Sequence, residues 1–443
     1  MRKKNLFQLS YPLLLNALIG MVVMLVDTYI LSSYSENAAA AVSIANQILL
    51  VAFDLSSLFA TGAVVLISRS LGEGNQLKAQ RMAETAMVAN GCVSFMLGMV
   101  IFVAAPVMAA AINCPPLIIE DAITYLRVGA FTIVFNGVMI AGSGTLRGWG
   151  ETRILLVLGT LAYMAYLATS YVLVFGWGPF PEWGVFGSAV ATLVIRMLAV
   201  VAILCVIGSH LKWTPSFWRR GWDETMDRIR QMFQLSWPAA LDNLAYGFYQ
   251  MILVSFIAPF SVAMLLSRTF TLVLSAVLTV VLMSISQASE VLVGYHYGAK
   301  QFRKLSQCVM QSAIAASILT TALAIPLYIF SEPLIKLFTD QTTIHGLVKE
   351  LLWLTIFVQP FSAVNTILFH SLKTLGDVKI PVAGTQIMMW GLSVPMAYFL
   401  AVSSGMGVIG LWYVLIMEEL LKALFLMLRW WFRFRKYSKP DIA

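Results

Sequence analysis

Residues 9–32, 42–67, 84–111, 122–146, 154–177, 184–208, 234–259, 263–293, 306–330, 347–371, 380–403 and 407–430 are all predominantly apolar. Each is long enough to cross a bilayer as a helix, which takes about 20 residues. A chain of this kind has little freedom. Hydrocarbon offers no partner to backbone N–H and C=O groups, so a spanning segment satisfies them within itself, as a helix, or in a closed barrel. The runs are continuous rather than alternating, which selects helices. The remaining residues are too few for a soluble domain. Of the 443 residues, 60% are hydrophobic and 11% charged, against about 45–50% and about 25% in soluble domains. The sequence therefore predicts an all-α integral membrane protein with twelve transmembrane helices. The opening MRKKN before an apolar run resembles a secretory leader, but the run is too long and contains Asp27. It is expected to be an uncleaved first span.

Charge supplies the topology. Of 29 basic residues, 23 fall at the N-terminus, in the second, fourth, sixth, eighth and tenth loops, and in the C-terminal tail. The opposite side holds Arg127, Lys336 and Lys349. The positive-inside rule then places both termini in the cytoplasm. The net charge of +8 reports this topology and does not indicate a nucleic-acid partner. Cys92, Cys114, Cys205 and Cys308 lie in separate segments, with neither disulfide nor metal spacing.

The chain is also written twice. LSYPLLLNAL from Leu9 returns as LSWPAALDNL from Leu235, an offset of 226 residues. The same offset pairs Gly72 with Gly298, Arg147 with Lys373, Gly150 with Gly376 and Glu151 with Asp377. Near the end it becomes 223, pairing Gly184 with Gly407 and Gly187 with Gly410. Each half carries six spans, so both enter the membrane in the same direction, as parallel repeats do. The expected organisation is an N-terminal six-helix lobe at 1–208, a cytoplasmic linker at 209–233 (partly an amphipathic helix) and a C-terminal six-helix lobe at 234–443. Gly72 and Gly298 are expected to stop the second helix of each half.

Duplication separates polar groups that serve the fold from those that do not. Arg147/Lys373 and Glu151/Asp377 recur and are read as structural. Asp27 faces Leu253 in the repeat, so the fold does not require its charge. An ionisable residue inside a span marks a functional site by default. Asn16, Gly20, Val23 and Asp27 share one helical face. A second acid, Asp54, shares a face with Ser43, Gln47 and Leu50. Asn136 in the fourth span, Tyr163, Tyr166 and Ser170 in the fifth, and Thr192 and Arg196 in the sixth are candidates to line a pocket around Asp27. In the second half, Asp242 aligns with Asn16, and either Arg268 or Glu290 stands as a possible associate. Glu418 or Glu419 is expected to pair with Lys422. His370 reads as a hydrogen-bonded structural histidine. Tyr246, Tyr249, Met251, Met388, Met389 and Trp390 belong to a soft, aromatic set suited to apolar cations, although core packing and lipid contact use the same residue types.

Absences narrow the function. There is no phosphate-binding loop of the G-x-x-x-x-G-K-[ST] kind, no HExxH, no serine nucleophile elbow and no Cys/His cluster. An enzyme is not expected, nor a cofactor or a metal centre.

Two six-helix halves, P-x-x-x-N at residues 12–16, VDT at 26–28, ISRSLGEGN at 67–75, SGTLRGWGETR at 143–153, GPFPEWGVFGSAVAT at 178–192, PAALDNL at 238–244 and VLVGYHYGAKQ at 291–301 together resemble the multidrug and toxic compound extrusion (MATE) family. The resemblance covers essentially the whole chain. It implies a two-lobed antiporter that exports organic, often cationic compounds in exchange for H⁺ or Na⁺. The family's first-span acid falls on Asp27 and its sixth-span threonine on Thr192. Its fifth-span Asn and Asp fall on Tyr166 and Ser170, a departure. Its second-lobe acids fall on Tyr246 and Ser362. With few oxygen ligands left for Na⁺ at Asp27, H⁺ is the expected coupling ion.

The resulting expectation is an antiporter of drug-like cationic or amphipathic compounds. Coupling falls to Asp27, Asp54, Asn16 and Thr192. A substrate cavity is expected from Gln47, Asn136, Tyr163, Tyr166, Ser170, Asp242, Tyr246, Arg268 and Met389. Protonation of Asp27 from outside is expected to shift the population toward substrate release. The expected partners are a small organic substrate and the lipid bilayer, and the expected form is a monomer in a bacterial inner membrane. A lipid-linked flippase of the same superfamily is the alternative, disfavoured by the few interior basic residues, Arg196 and Arg268. A non-transport membrane enzyme is a more distant one.

Overall fold

The computed structural model describes residues 4–112, 114–210, 222–336 and 338–435. All regular structure among them is helical. The first half comprises α1 (Leu6–Tyr34), α2 (Glu36–Ser56), α3 (Leu58–Gly72), α4 (Gln76–Ala111), α5 (Ile119–Gly148), α6 (Thr152–Phe175) and α7 (Gly184–His210). The second comprises α8 (Trp222–Ile257), α9 (Val262–Gly298), α10 (Phe302–Ile329), the short α11 (Ser331–Lys336), α12 (Thr342–Thr374), α13 (Lys379–Met388), α14 (Val394–Ala397) and α15 (Gly407–Arg435). Helices α2 and α3 together form the second span, and α13 with α14 the eleventh. Among the described residues ten spans are both long and apolar enough to cross a membrane by themselves. Helices α8 and α15 are as long but carry charge, Asp242 in one and Glu418, Glu419 and Lys422 in the other. Both belong to the second half, where they bring its four such spans to the six already present in the first.

The chain divides into two compact units, one built on Tyr11–Trp237 and the other on the chain from Pro238 onward. Of the connector expected at 209–233, residues 211–221 lie outside the described residues, and Trp222 begins α8. In the first unit, α2 presents Ala38, Ala41, Ala45 and Leu49 to Ile101 and Ala105 of α4, Leu126 and Ile133 of α5 and Ala189 of α7. Small side chains let helices approach closely where lipid gives no hydrophobic driving force between them. In the second unit, Tyr249, Leu253 and Ile257 of α8 pack with Leu351 and Leu354 of α12 and Leu411, Trp412 and Val414 of α15.

The duplication is visible in the backbone. Gly150 and Gly376 take φ of 77° and 78°, and Gly184 and Gly407 take 51° and 58°. Gly74 and Lys300, also 226 apart, take 77° and 56°. Both turns after the second span of each half close alike, Asn75 N–H donating to Ser70 O at 2.9 Å and Gln301 N–H to His296 O at 2.9 Å. This is the six-to-one bond that ends a helix through a left-handed residue. Gly72 and Gly298 are thus the last helical residues, and the left-handed positions lie two residues beyond them.

Each half breaks a different helix. The second span is interrupted at Ser57, and the N–H of Phe59 beyond the break donates to Asn90 Oδ1 of α4 at 3.0 Å. Its counterpart α9 runs unbroken. Conversely, the fifth span α6 is continuous, while the eleventh contains π-helical turns at Met389–Ser393 and Tyr398–Ser403. Pro395 lies between those turns; it cannot donate to the helical ladder, and wider turns accommodate such a gap.

Candidate functional site

The first lobe encloses a cavity of about 330 Å³. Helix α1 contributes Gly20, Val23, Met24 and Asp27, one face at helical spacing. Helix α2 contributes Asn46, Leu49 and Phe53; α5 contributes Tyr125, Gly129 and Thr132; α6 contributes Tyr163 and Tyr166; α7 contributes Thr192 and Arg196. Three of the four residues expected on the α1 face therefore line it. The fourth, Asn16, packs instead against Gly159 of α6, where any Cβ would strike its Oδ1.

Tyr166 donates to Asp27 Oδ1 at 2.8 Å, and Ser170 Oγ approaches the same oxygen at 3.4 Å. The two residues are one helical turn apart on α6, so one face of that helix presents both hydroxyls. Thr192 stands near the hydroxyls of Tyr125 and Tyr166, and its own Oγ1 donates to Ser188 O at 3.0 Å. At the α7 wall, Arg196 donates to Asn136 Oδ1, and its guanidinium lies 4.6 Å from the centre of the Phe53 ring. Asn136 is buried and donates onward to Ser56 Oγ at 2.8 Å, beside the break between α2 and α3. It orients the arginine rather than lining the cavity.

Asp54 and Gln47 are elsewhere. Ser43, Gln47, Leu50 and Asp54 do share a face of α2, but it is the exposed face, opposite the alanine stripe. Asn46, adjacent to Gln47 and about 100° around the helix, is the cavity residue. Tyr125 was likewise not among the sequence candidates; its repeat partner, Leu351, is as apolar as the partner of Asp27, and that contrast was the available signal.

The second lobe turns the same positions into hydrocarbon. Leu253 and Leu351, the counterparts of Asp27 and Tyr125, are buried in one apolar cluster that also takes Met389. Met389 begins a π-helical turn and is 2% exposed, so it packs in the core rather than facing an open cavity. Asp242 accepts from Gln386 Nε2 at 2.6 Å, whereas Arg268 donates to Gln250 Oε1 at 2.6 Å, so those two do not pair with each other. Glu290 pairs with Lys373 at 2.9 Å, with His370 at 3.8 Å. Glu418 forms the expected i, i+4 pair with Lys422 and accepts from Tyr249. Glu419 accepts from Asn365 Nδ2 at 2.9 Å. Tyr246 is 48% exposed, with its ring 6.1 Å from that of Tyr249. The offset of 223 pairs Arg196 with Glu419, so the lobes carry opposite charge types at equivalent places.

These two lobes, with a polar cavity in one and its apolar counterpart in the other, were compared with known proteins. The MatE family model matches residues 12–172 and 238–399, one stretch in each half. The chain belongs to the MatE family. Among relatives of this MatE protein, transporter YisQ of Bacillus subtilis (strain 168) is 29% identical over 426 residues, covering 96% of this chain and 93% of that one. The probable multidrug resistance protein NorM of Thermotoga maritima is 23% identical over 431 residues, covering 95% and 90%. The fold of this MatE chain matches the crystal structure of an Asp-to-Asn mutant of the Vibrio cholerae MATE transporter VcmN with a TM-score of 0.87, at 17% identity and 98% coverage of both chains.

Proposed function

We propose that this MatE protein is a proton-coupled antiporter that exports organic, cationic or amphipathic compounds from the cytoplasm. The observation that carries this reading is the hydroxyl pair on Asp27: Tyr166 and Ser170 both converge on Oδ1. Hydroxyl groups that donate to a carboxylate favour its ionised form, and those bonds weaken when it takes a proton and becomes a donor itself. The same oxygens, hydrogens directed at Asp27, are poorly arranged to share a Na⁺ with it. Proton uptake therefore changes the hydrogen bonds between α1 and α6, and a ligand that changes two packings unequally shifts their populations. The name of the Thermotoga relative, a probable multidrug resistance protein, supports drug-like substrates. The charge distribution of the loops supports both termini in the cytoplasm, and the bacterial sources of the relatives support a bacterial inner membrane.

Everted membrane vesicles loaded by respiration with a pH gradient test the reading, with ethidium as the transported probe. The wild type is expected to take ethidium into the vesicle lumen on energisation and to lose the effect when the gradient is collapsed. Asp27→Asn is expected to be inactive although normally inserted. Full exchange by Asp27→Asn, or equal transport driven by Na⁺ alone, overturns the proposal.

A further inference from the structure

The structure assigns a second ligand to the first-lobe cavity: a small monovalent anion held at Arg196, whose binding is linked to protonation of Asp27. The inference takes Asp27 as the protonating group, as above, but does not depend on what is transported. The cavity contains one potential anion and one cation, and they are not joined. Asp27 is engaged by Tyr166 and Ser170. Arg196 is engaged by Asn136 and the face of Phe53. Among the described residues, no carboxylate lies within ion-pair distance of Arg196.

The titratable groups that face this cavity are Asp27 of α1, Tyr125 of α5, Tyr163 and Tyr166 of α6 and Arg196 of α7; α2 contributes only Asn46, Leu49 and Phe53. Among the described residues, Asp27 is then the sole acid lining the cavity that balances the guanidinium. When Asp27 takes a proton, the cavity is left with an uncompensated cation in an apolar lobe, which is costly. An anion entering from water removes that imbalance. Its donors line the same cavity: the N–H groups of Arg196 beyond the one given to Asn136, the hydroxyls of Tyr125 and Tyr163, and that of Tyr166 once protonation of Asp27 releases it. A guanidinium suits this role because its planar fork matches a carboxylate. A volume of about 330 Å³ lies at the small end of ligand pockets, about 300–1,000 Å³, sufficient for a halide or a compact carboxylate. The fold does not require a cation here, since the equivalent position holds Glu419.

A free halide and the carboxylate arm of an organic compound offer the same chemistry, and titration with potassium chloride and with potassium benzoate separates them. The purified full-length protein in detergent, with the divalent sulfate as background anion, is titrated calorimetrically at mildly acidic and mildly alkaline pH. Benzoate is expected to bind more tightly in acid, with proton uptake read from the dependence of heat on buffer. Asp27→Asn is expected to bind it about tenfold more tightly than the wild type in alkali, within the usual coupling range of about 5–150-fold, and without pH dependence. Arg196→Gln is expected to lose binding, and Arg196→Lys to keep a weakened form that shows the cavity intact. Chloride bound as well as benzoate identifies a halide site; benzoate alone identifies a carboxylate site. No binding of either anion, undiminished binding by Arg196→Gln, or equal affinity in wild type and Asp27→Asn in alkali overturns the inference. Because no transport is measured, an inactive antiporter does not obscure the result.

Discussion

Tyr166 donates its phenolic hydrogen to Oδ1 of Asp27 at 2.8 Å, linking α6 to α1 across 139 residues of sequence. A hydrogen bond to an ionised group is stronger than one between neutral partners, about 1.5–3 kcal/mol net. A double-mutant cycle of Tyr166→Phe and Asp27→Asn isolates it. Each single substitution is expected to destabilise the first lobe in alkali, and the double variant to lose less than the sum by about 1–3 kcal/mol. Chemical denaturation in detergent, followed by tryptophan fluorescence, measures the difference. Strict additivity counts against the bond.

The buried pair of Glu418 and Lys422 behaves differently from a surface pair. Glu418 is 1% exposed and Lys422 is 6% exposed. Removing one partner strands the other charge, at a cost of about 3–5 kcal/mol, while removing both with well-packed apolar groups is often near neutral. Lys422→Met is therefore expected to lower the melting temperature strongly, and Lys422→Met with Glu418→Gln to recover much of the loss. Differential scanning fluorimetry across the three proteins checks the order.

Two glycines separate close packing from mere composition. A Cβ on Gly98 would lie 2.6 Å from the carbonyl oxygen of Ala130, so α4 and α5 would have to separate. Gly247 has nothing within 4 Å of the same atom. Gly98→Ala is expected to destabilise by about 1–3 kcal/mol, the usual cost of overpacking. Gly247→Ala is expected to be neutral or slightly stabilising, since alanine favours a helix by about 1 kcal/mol over glycine. Melting curves of the two variants decide it.

The twelve spans and the duplication are legible in the sequence because hydrocarbon enforces helices and repeats preserve their landmarks. Asp27 is legible because a carboxylate in such a helix needs a reason and Leu253 shows that the fold supplies none. The walls of the cavity are less so. On α2 the polar stripe through Gln47 and Asp54 points outward, and the inward face is written in alanines with a single Asn46. A span with lipid-like surroundings and a buried side does not announce which polar residue turns inward. The break at Ser57 is hidden for a similar reason: the partner of the freed Phe59 N–H is Asn90, on another helix. The π-helical turns around Pro395 move Met389 from an expected cavity wall into the core. The same repeat comparison that isolates Asp27 also pairs Tyr125 with Leu351 and Arg196 with Glu419.

That last pairing has an electrical consequence. Membrane voltage acts on a unit charge with about 2.3 kcal/mol per 100 mV, and it pulls a guanidinium and a carboxylate opposite ways. The first lobe, taken by itself, therefore answers a change in voltage at this repeat position with one sign, through Arg196, and the second lobe, taken by itself, with the other, through an ionised Glu419.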